Sequence, residues 1–194
     1  MSVSGFIKEN RVLVAGLVLP LLLIGILAFA KTLPATMIDP PTHKVAYYSA
    51  GWSPKGQLTL KIDDAGHLQS AFKATENYKA NTNDTAPKAT LYIYDPKTNT
   101  TQDTQLTLGD KDALPSLEKF SGLKFSNQQT SPDGYIFESY HYRNHSLITE
   151  IFSYHSYNNG PVLSKNNRIV KLPLPNPYTG NTEFLGWLTE EGTK

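Results

Sequence analysis

Residues 12–30 read VLVAGLVLPLLLIGILAFA, and this stretch decides the architecture. It holds no charge and no strongly polar side chain, and thirteen of its nineteen residues are Leu, Ile, Val or Phe. At about 1.5 Å per residue, a helix of this length spans roughly 28 Å, close to the hydrocarbon thickness of a bilayer. Each of those side chains favours insertion by about 0.3–0.6 kcal/mol near the helix centre, so the sum is several kcal/mol. Gly16, Pro20 and Gly25 would weaken a water-soluble helix. In lipid they are tolerated, because an unpaired backbone group is costlier there than a bend. The stretch therefore predicts a single transmembrane helix whose partner is the lipid bilayer. Two rival readings exist. Ala28-Phe29-Ala30 before Lys31 fits the small-x-small pattern of a signal cleavage site, but the apolar run exceeds the ~7–15 residues usual in a signal sequence. A buried core helix would need a second helix of matching character, and the sequence holds none.

Working outward, residues 1–11 carry Lys8 and Arg11, against Lys31 and Lys44 beyond the apolar run. The excess is slight, but a folded domain after one uncleaved anchor normally lies on the far side. The expected topology is N-terminus cytoplasmic, C-terminal domain outside. Residues 31–42, KTLPATMIDPPT, contain Pro34, Pro40 and Pro41 and read as a semi-rigid stalk in which proline blocks helix continuation.

Residues 43–194 read as strands and turns. Tyr supplies 11 of the 21 aromatic residues, a composition that suits half-buried pleated surfaces. Short strands are expected over 45–48 and 58–62, separated by Ser53-Pro54-Lys55-Gly56, with Pro second and Gly fourth in a turn. Asp63-Asp64-Ala65-Gly66 turns the chain into 67–73, and 75–88 reads as a loop. A strand over 89–94 stops at Asp95-Pro96-Lys97-Thr98-Asn99 and returns over 104–108. A short helix is expected over 112–120, with Asp112 as its N-cap and Gly122 just past its end. Ser131-Pro132-Asp133-Gly134 then opens a hairpin, YIFESYHY and LITEIFSY around Asn144 and His145. One of its faces holds Tyr135, Phe137, His141, Ile148, Phe152 and Tyr154. The other holds Ile136, Tyr140, Tyr142, Leu147 and Ile151. Final strands are expected over 168–172 and 184–188.

The fold class expected is mainly β: an antiparallel β-sandwich or curved β-sheet with one short helix, behind a transmembrane helix. LYIYDPKTNTTQDTQLTL (91–108) and FLGWL (184–188) resemble pieces of β-propeller blades, which makes partial blades the alternative.

Cysteine is absent, which excludes disulfides, zinc–thiolate sites, iron–sulfur clusters and thiol catalysis. A formal net charge of +1 gives no basic field for nucleic acid. His141, His145 and His155 do not suit one metal ion, since a four-residue gap along a strand separates side chains by roughly 13 Å. Ser116-Leu117-Glu118-Lys119 matches S-x-x-K without its companion motifs. Asp63 with Asp64, and Asp110 with Asp112, sit where Asp caps turns. No catalytic residue, cofactor or metal site is expected. The aromatic set Tyr47, Tyr48, Trp52, Tyr92, Tyr94, Tyr140, Tyr142, Tyr154 and Tyr157 reads first as sheet packing and second as a protein-contact surface. If the hairpin is covered on one side only, Ile136, Tyr140, Tyr142, Leu147 and Ile151 form a partner-binding patch.

The function expected is a non-enzymatic accessory or assembly subunit of a bacterial inner-membrane complex, with other membrane subunits as partners. A domain binding a lipid or other apolar ligand is the alternative, by architectural analogy with anchored β-jellyroll proteins of lipid export. An enzyme ranks third.

Overall fold

The computed structural model describes residues 10–78, 85–139, 160–166, 168–173 and 182–189, with side chains 31–36 excepted. It divides into two compact units, one built on the helix and one on the strands. Helix α1 (Arg11–Met37) contains the apolar run. Its segment Arg11–Ala30 is long and apolar enough to cross a membrane, and none of it is buried within the protein.

The extended stalk expected over 31–42 is not what forms. The backbone stays helical through Pro34 to Met37. One proline removes one intrahelical hydrogen bond, at a cost of about 3 kcal/mol, and the bonds on either side survive. The pair Pro40-Pro41 is a harder stop, and proline also drives the preceding Asp39 out of helical geometry. Pro40–Lys165 and Ile169–Lys194 belong to the strand unit, and Pro41 is buried in it.

The strand unit is mainly β, with three antiparallel sheets. Its elements are β1 (Val45–Ala50), β2 (Gly56–Ile62), β3 (Leu68–Ala74), β4 (Lys88–Asp95), β5 (Thr100–Thr107), β6 (Lys124–Ser126), β7 (Ile136–Glu138), β8 (Val162–Lys165), β9 (Arg168–Lys171) and β10 (Thr182–Thr189). A five-stranded sheet runs β5-β4-β1-β10-β6, β2 pairs with β3, and β7-β8-β9 form a third sheet. The hairpins follow from local turn chemistry. Gly56 N–H donates to Ser53 O at 3.3 Å, Gly66 N–H to Asp63 O at 3.0 Å and Gly134 N–H to Ser131 O at 2.9 Å. Asp63 Oδ1 also accepts from the N–H groups of Ala65 at 3.0 Å and His67 at 2.8 Å, which closes the β2–β3 turn.

The five-stranded sheet is packed on both faces. One face, with Ala46, Tyr48, Leu91 and Leu106, meets Leu58, Leu60 and Leu68 of the β2–β3 hairpin. The other, with Val45, Tyr47, Tyr92 and Tyr94, meets Phe137 and Leu163 of the third sheet. Five of the six residues of β1 are buried, because this central strand has no solvent side. The blade-like segment 91–108 is the β4–β5 edge of this layered arrangement, so the propeller alternative does not hold.

The helix expected over 112–120 splits into two single turns, Asp110–Asp112 and Glu118–Phe120. Lys111 and Asp112 have positive φ (54° and 62°), and Pro115 pushes Leu114 towards extended geometry, so no continuous helix can pass. Strands β6 and β8 carry no sequence signal of their own, being three and four residues long.

Candidate contact surfaces

Among the described residues the aromatic set separates cleanly. Tyr47, Tyr48, Tyr92 and Tyr94 are 0–3% exposed and belong to the two cores. Tyr47 stacks on Tyr92 with ring centroids 5.2 Å apart. The contact continues to Phe137 at 5.3 Å, to Phe184 at 5.6 Å and to Trp187 at 5.7 Å. Burial pushes the Tyr47 hydroxyl well above the ordinary tyrosine range, and the Thr101 hydroxyl beside it offsets this only in part. Tyr48 is pushed up too, first by burial and then by its hydrogen bond to Glu183 Oε2 at 2.7 Å. For these four residues sheet packing accounts for the side chain. Trp52 is the opposite case: it is 86% exposed, just beyond the end of β1.

Ile136 lies where the alternation of its strand places it. Phe137 points into the core, while Ile136 is 44% exposed on the outside of the third sheet. Ile169 on β9 is also 44% exposed, and its neighbour Val170 packs inward. Ser164 pairs with Ile136 across β7 and β8. The other proposed contact residues, Tyr140, Tyr142, Leu147 and Ile151, lie outside the described residues. So do Tyr154, Tyr157 and the three histidines of the hairpin region.

A groove of about 660 Å³ opens at the end of the strand unit where the chain enters β1. Trp187, Leu123, Leu188 and Pro132 supply its apolar wall, and Lys44 and Lys97 its basic rim. Lys44 Nζ pairs with Asp95 Oδ2 at 2.9 Å, which with the Lys97 N–H holds the Asp95 carboxyl below its usual range. Nearby, Asp133 gathers donors across a long sequence separation. Its Oδ2 accepts from Thr42 N at 2.6 Å and Thr42 Oγ1 at 2.9 Å, and its Oδ1 lies 3.5 Å from His43 Nδ1. Ser131 Oγ donates to the same carboxylate. Burial works against the charge, but these hydrogen bonds outweigh it and leave the carboxyl below its ordinary range. Asp133, His43 and Ser131 are not a nucleophilic triad. Ser131 Oγ donates to the carboxylate and accepts from Tyr135 N–H at 2.7 Å, and the imidazole meets Asp133 rather than the serine.

The remaining candidates resolve as structural. Ser116 Oγ accepts from Glu118 N–H at 3.4 Å, while Lys119 Nζ reaches Thr104 Oγ1 at 3.5 Å and lies 5.9 Å from the Phe120 ring centre. The S-x-x-K match therefore caps a turn. Asp63 orders a hairpin, and Asp112 pairs with Lys55 at 2.5 Å. Among the described residues, no three His, Asp or Glu side chains gather as a metal site would require. The Asp133 node was beyond sequence reasoning: the SPDG turn is legible, but nothing local links it to Thr42, 91 residues away. Comparison with protein-family models, with curated proteins and with solved structures finds no match to this chain.

Proposed function

We propose that this protein is a non-enzymatic accessory or assembly subunit of a bacterial inner-membrane complex. Residues 12–30 hold it in the bilayer, the N-terminus is cytoplasmic, and the strand unit works in the periplasm through contacts with other subunits. A domain of this size folds without disulfides, which fits a cysteine-free periplasmic chain. The observation that carries the reading is the outer face of the third sheet. Its inner face is already closed on the core, yet Ile136 and Ile169 remain 44% exposed on the other side. A partner surface would remove them from water, with Tyr140 and Tyr142 as further anchors, and Trp52 offers a second point of attachment. Ile136→Ser and Trp52→Ala, each in the full chain, should reduce recovery of co-purifying membrane proteins from mild detergent extracts by about tenfold. That corresponds to about 1.4 kcal/mol of association. The melting temperature should stay within about 2 °C, since neither side chain is buried. Unchanged recovery with both variants would remove the support for a subunit role.

The groove beside Trp187 favours a second reading, an amphiphilic ligand with an apolar body and an anionic head. Lipid recovered with the purified protein, and lost on Lys44→Glu, would favour that reading over the first.

A further inference from the structure

The outer edge of β5 is unlike the other edges of the strand unit. Exposed edges are ordinarily guarded by charged side chains, above all Lys, or by proline, bulges or shortness. Here β6 carries Lys124, β2 Lys61, β3 Lys73 and β9 Arg168 and Lys171, while β7 has only three residues. Strand β5, TTQDTQLT, has eight residues, one charged side chain of its own (Asp103) and no Lys, Arg or Pro, although the Lys119 ammonium from a neighbouring turn reaches Thr104 Oγ1 at 3.5 Å. It pairs with β4 in unbroken register from Lys88↔Thr107 to Asp95↔Thr100. Among the described residues β4 is its sole sheet neighbour. Five of its eight residues are exposed.

The backbone geometry shows which groups are available. Leu108 N–H donates to Pro87 O at 2.9 Å, on the β4 side. Successive residues of a strand turn their N–H and C=O to opposite sides, so Thr101, Asp103, Gln105 and Thr107 direct theirs outward. We propose that this edge pairs antiparallel with β5 of a second copy of the chain, with the two-fold axis passing at Thr104.

Overlap and charge select that register, since only axes at Asp103 and Thr104 pair nearly the whole of β5 with its copy. A two-fold axis normal to a sheet keeps each side chain on the same face in both copies, so some residue must oppose its own counterpart. An axis at Asp103 would bring two carboxylates together, which is unfavourable. An axis at Thr104 sets Thr104 against Thr104, Asp103 against Gln105 and Thr101 against Thr107. The outward groups then meet as two pairs on each side of the axis, giving about eight inter-chain hydrogen bonds. Thr–Thr and carboxylate–amide neighbours suit this arrangement. Two copies whose helices share one bilayer also meet at raised effective concentration, so a modest interface suffices.

The absence of cysteine provides a direct test. In this register Thr104 faces its copy as a non-hydrogen-bonded pair, about 4.5 Å between Cα atoms, within disulfide range. Thr104→Cys in the full-length protein, oxidised in intact membranes, should give a dimer on a non-reducing gel. Gln57→Cys, on the exposed side of β2, should not. Gln105→Asp added to the Thr104→Cys chain sets like charges opposite each other twice and should slow cross-linking about fivefold or more. Gln105→Lys should accelerate it. Residue 105 is exposed and its N–H does not serve β4, so both variants should keep the parent melting temperature. Absence of the dimer in the melting-competent Thr104→Cys chain overturns the proposal. Equal cross-linking at Gln57→Cys, insensitivity to charge at 105, or capture of a chain of different mass instead of a second copy each does the same.

Discussion

The carboxylate of Asp133 draws Thr42, His43 and Ser131 together, and its ionisation is therefore linked to folding. Its folded pKa lies below the unfolded value of about 3.9. A depressed carboxylate contributes stability that is present above the unfolded pKa and lost as pH falls through the folded one. The window is thus below about pH 4. Asp133→Asn should cost about 1–3 kcal/mol near pH 7, because several donors lose a charged acceptor. The gap in melting temperature between parent and variant should narrow as pH drops below about 4. Melting curves of both proteins from pH 7 to pH 2.5 check this, and a gap that stays constant would rule out the linkage. At this scale the sequence reading of the aromatic set as sheet packing holds for Tyr47, Tyr48, Tyr92 and Tyr94, but it did not separate Trp52 from them. Tyr47 and Tyr48 are neighbours on a strand buried from both sides, so alternation had no polar face to mark. Trp52, two residues beyond that strand, is exposed.

The elements were legible where their turns are local. Ser53-Pro54-Lys55-Gly56 and Asp63-Asp64-Ala65-Gly66 bracket β2 because proline, glycine and aspartate fix backbone geometry within four residues. Gly56 does more than close its turn. Its φ is +150°, and a Cβ there would lie 2.3 Å from Lys73 O and 2.9 Å from Ala74 Cα, backbone atoms of the paired strand. Gly56→Ala should therefore destabilise the protein by about 2–4 kcal/mol, read as a shift in the urea midpoint at unchanged slope. A loss below about 0.5 kcal/mol would show that β2 and β3 separate there without cost. The helix expected over 112–120 failed for a related reason: Lys111 and Asp112 adopt left-handed geometry that their residue types do not announce. Short strands such as β6 and β8 are held by their neighbours and have no period to detect.

At the scale of the whole molecule, the helix Arg11–Met37, whose segment Arg11–Ala30 is long and apolar enough to cross a membrane, and the strands form separate units. The protein should remain with membranes through alkaline carbonate washing, because thirteen large apolar side chains within residues 12–30 would otherwise face water. Release into the soluble fraction with a new N-terminus at Lys31 would instead identify Ala28-Phe29-Ala30 as a cleavage site. The sequence by itself determined the apolar helix, the antiparallel β character and most hairpin turns. Each of these is set by composition or by interactions within a few residues of chain. Only the tertiary structure decided that the central sheet is covered on both faces and that helix replaces the first half of the stalk. It alone placed Asp133 beside Thr42 and left β5, among the described residues, as a long edge with β4 as its one sheet neighbour. Those features depend on which distant segments meet, and side chains with the same local pattern serve equally well as core or as surface until that meeting is known.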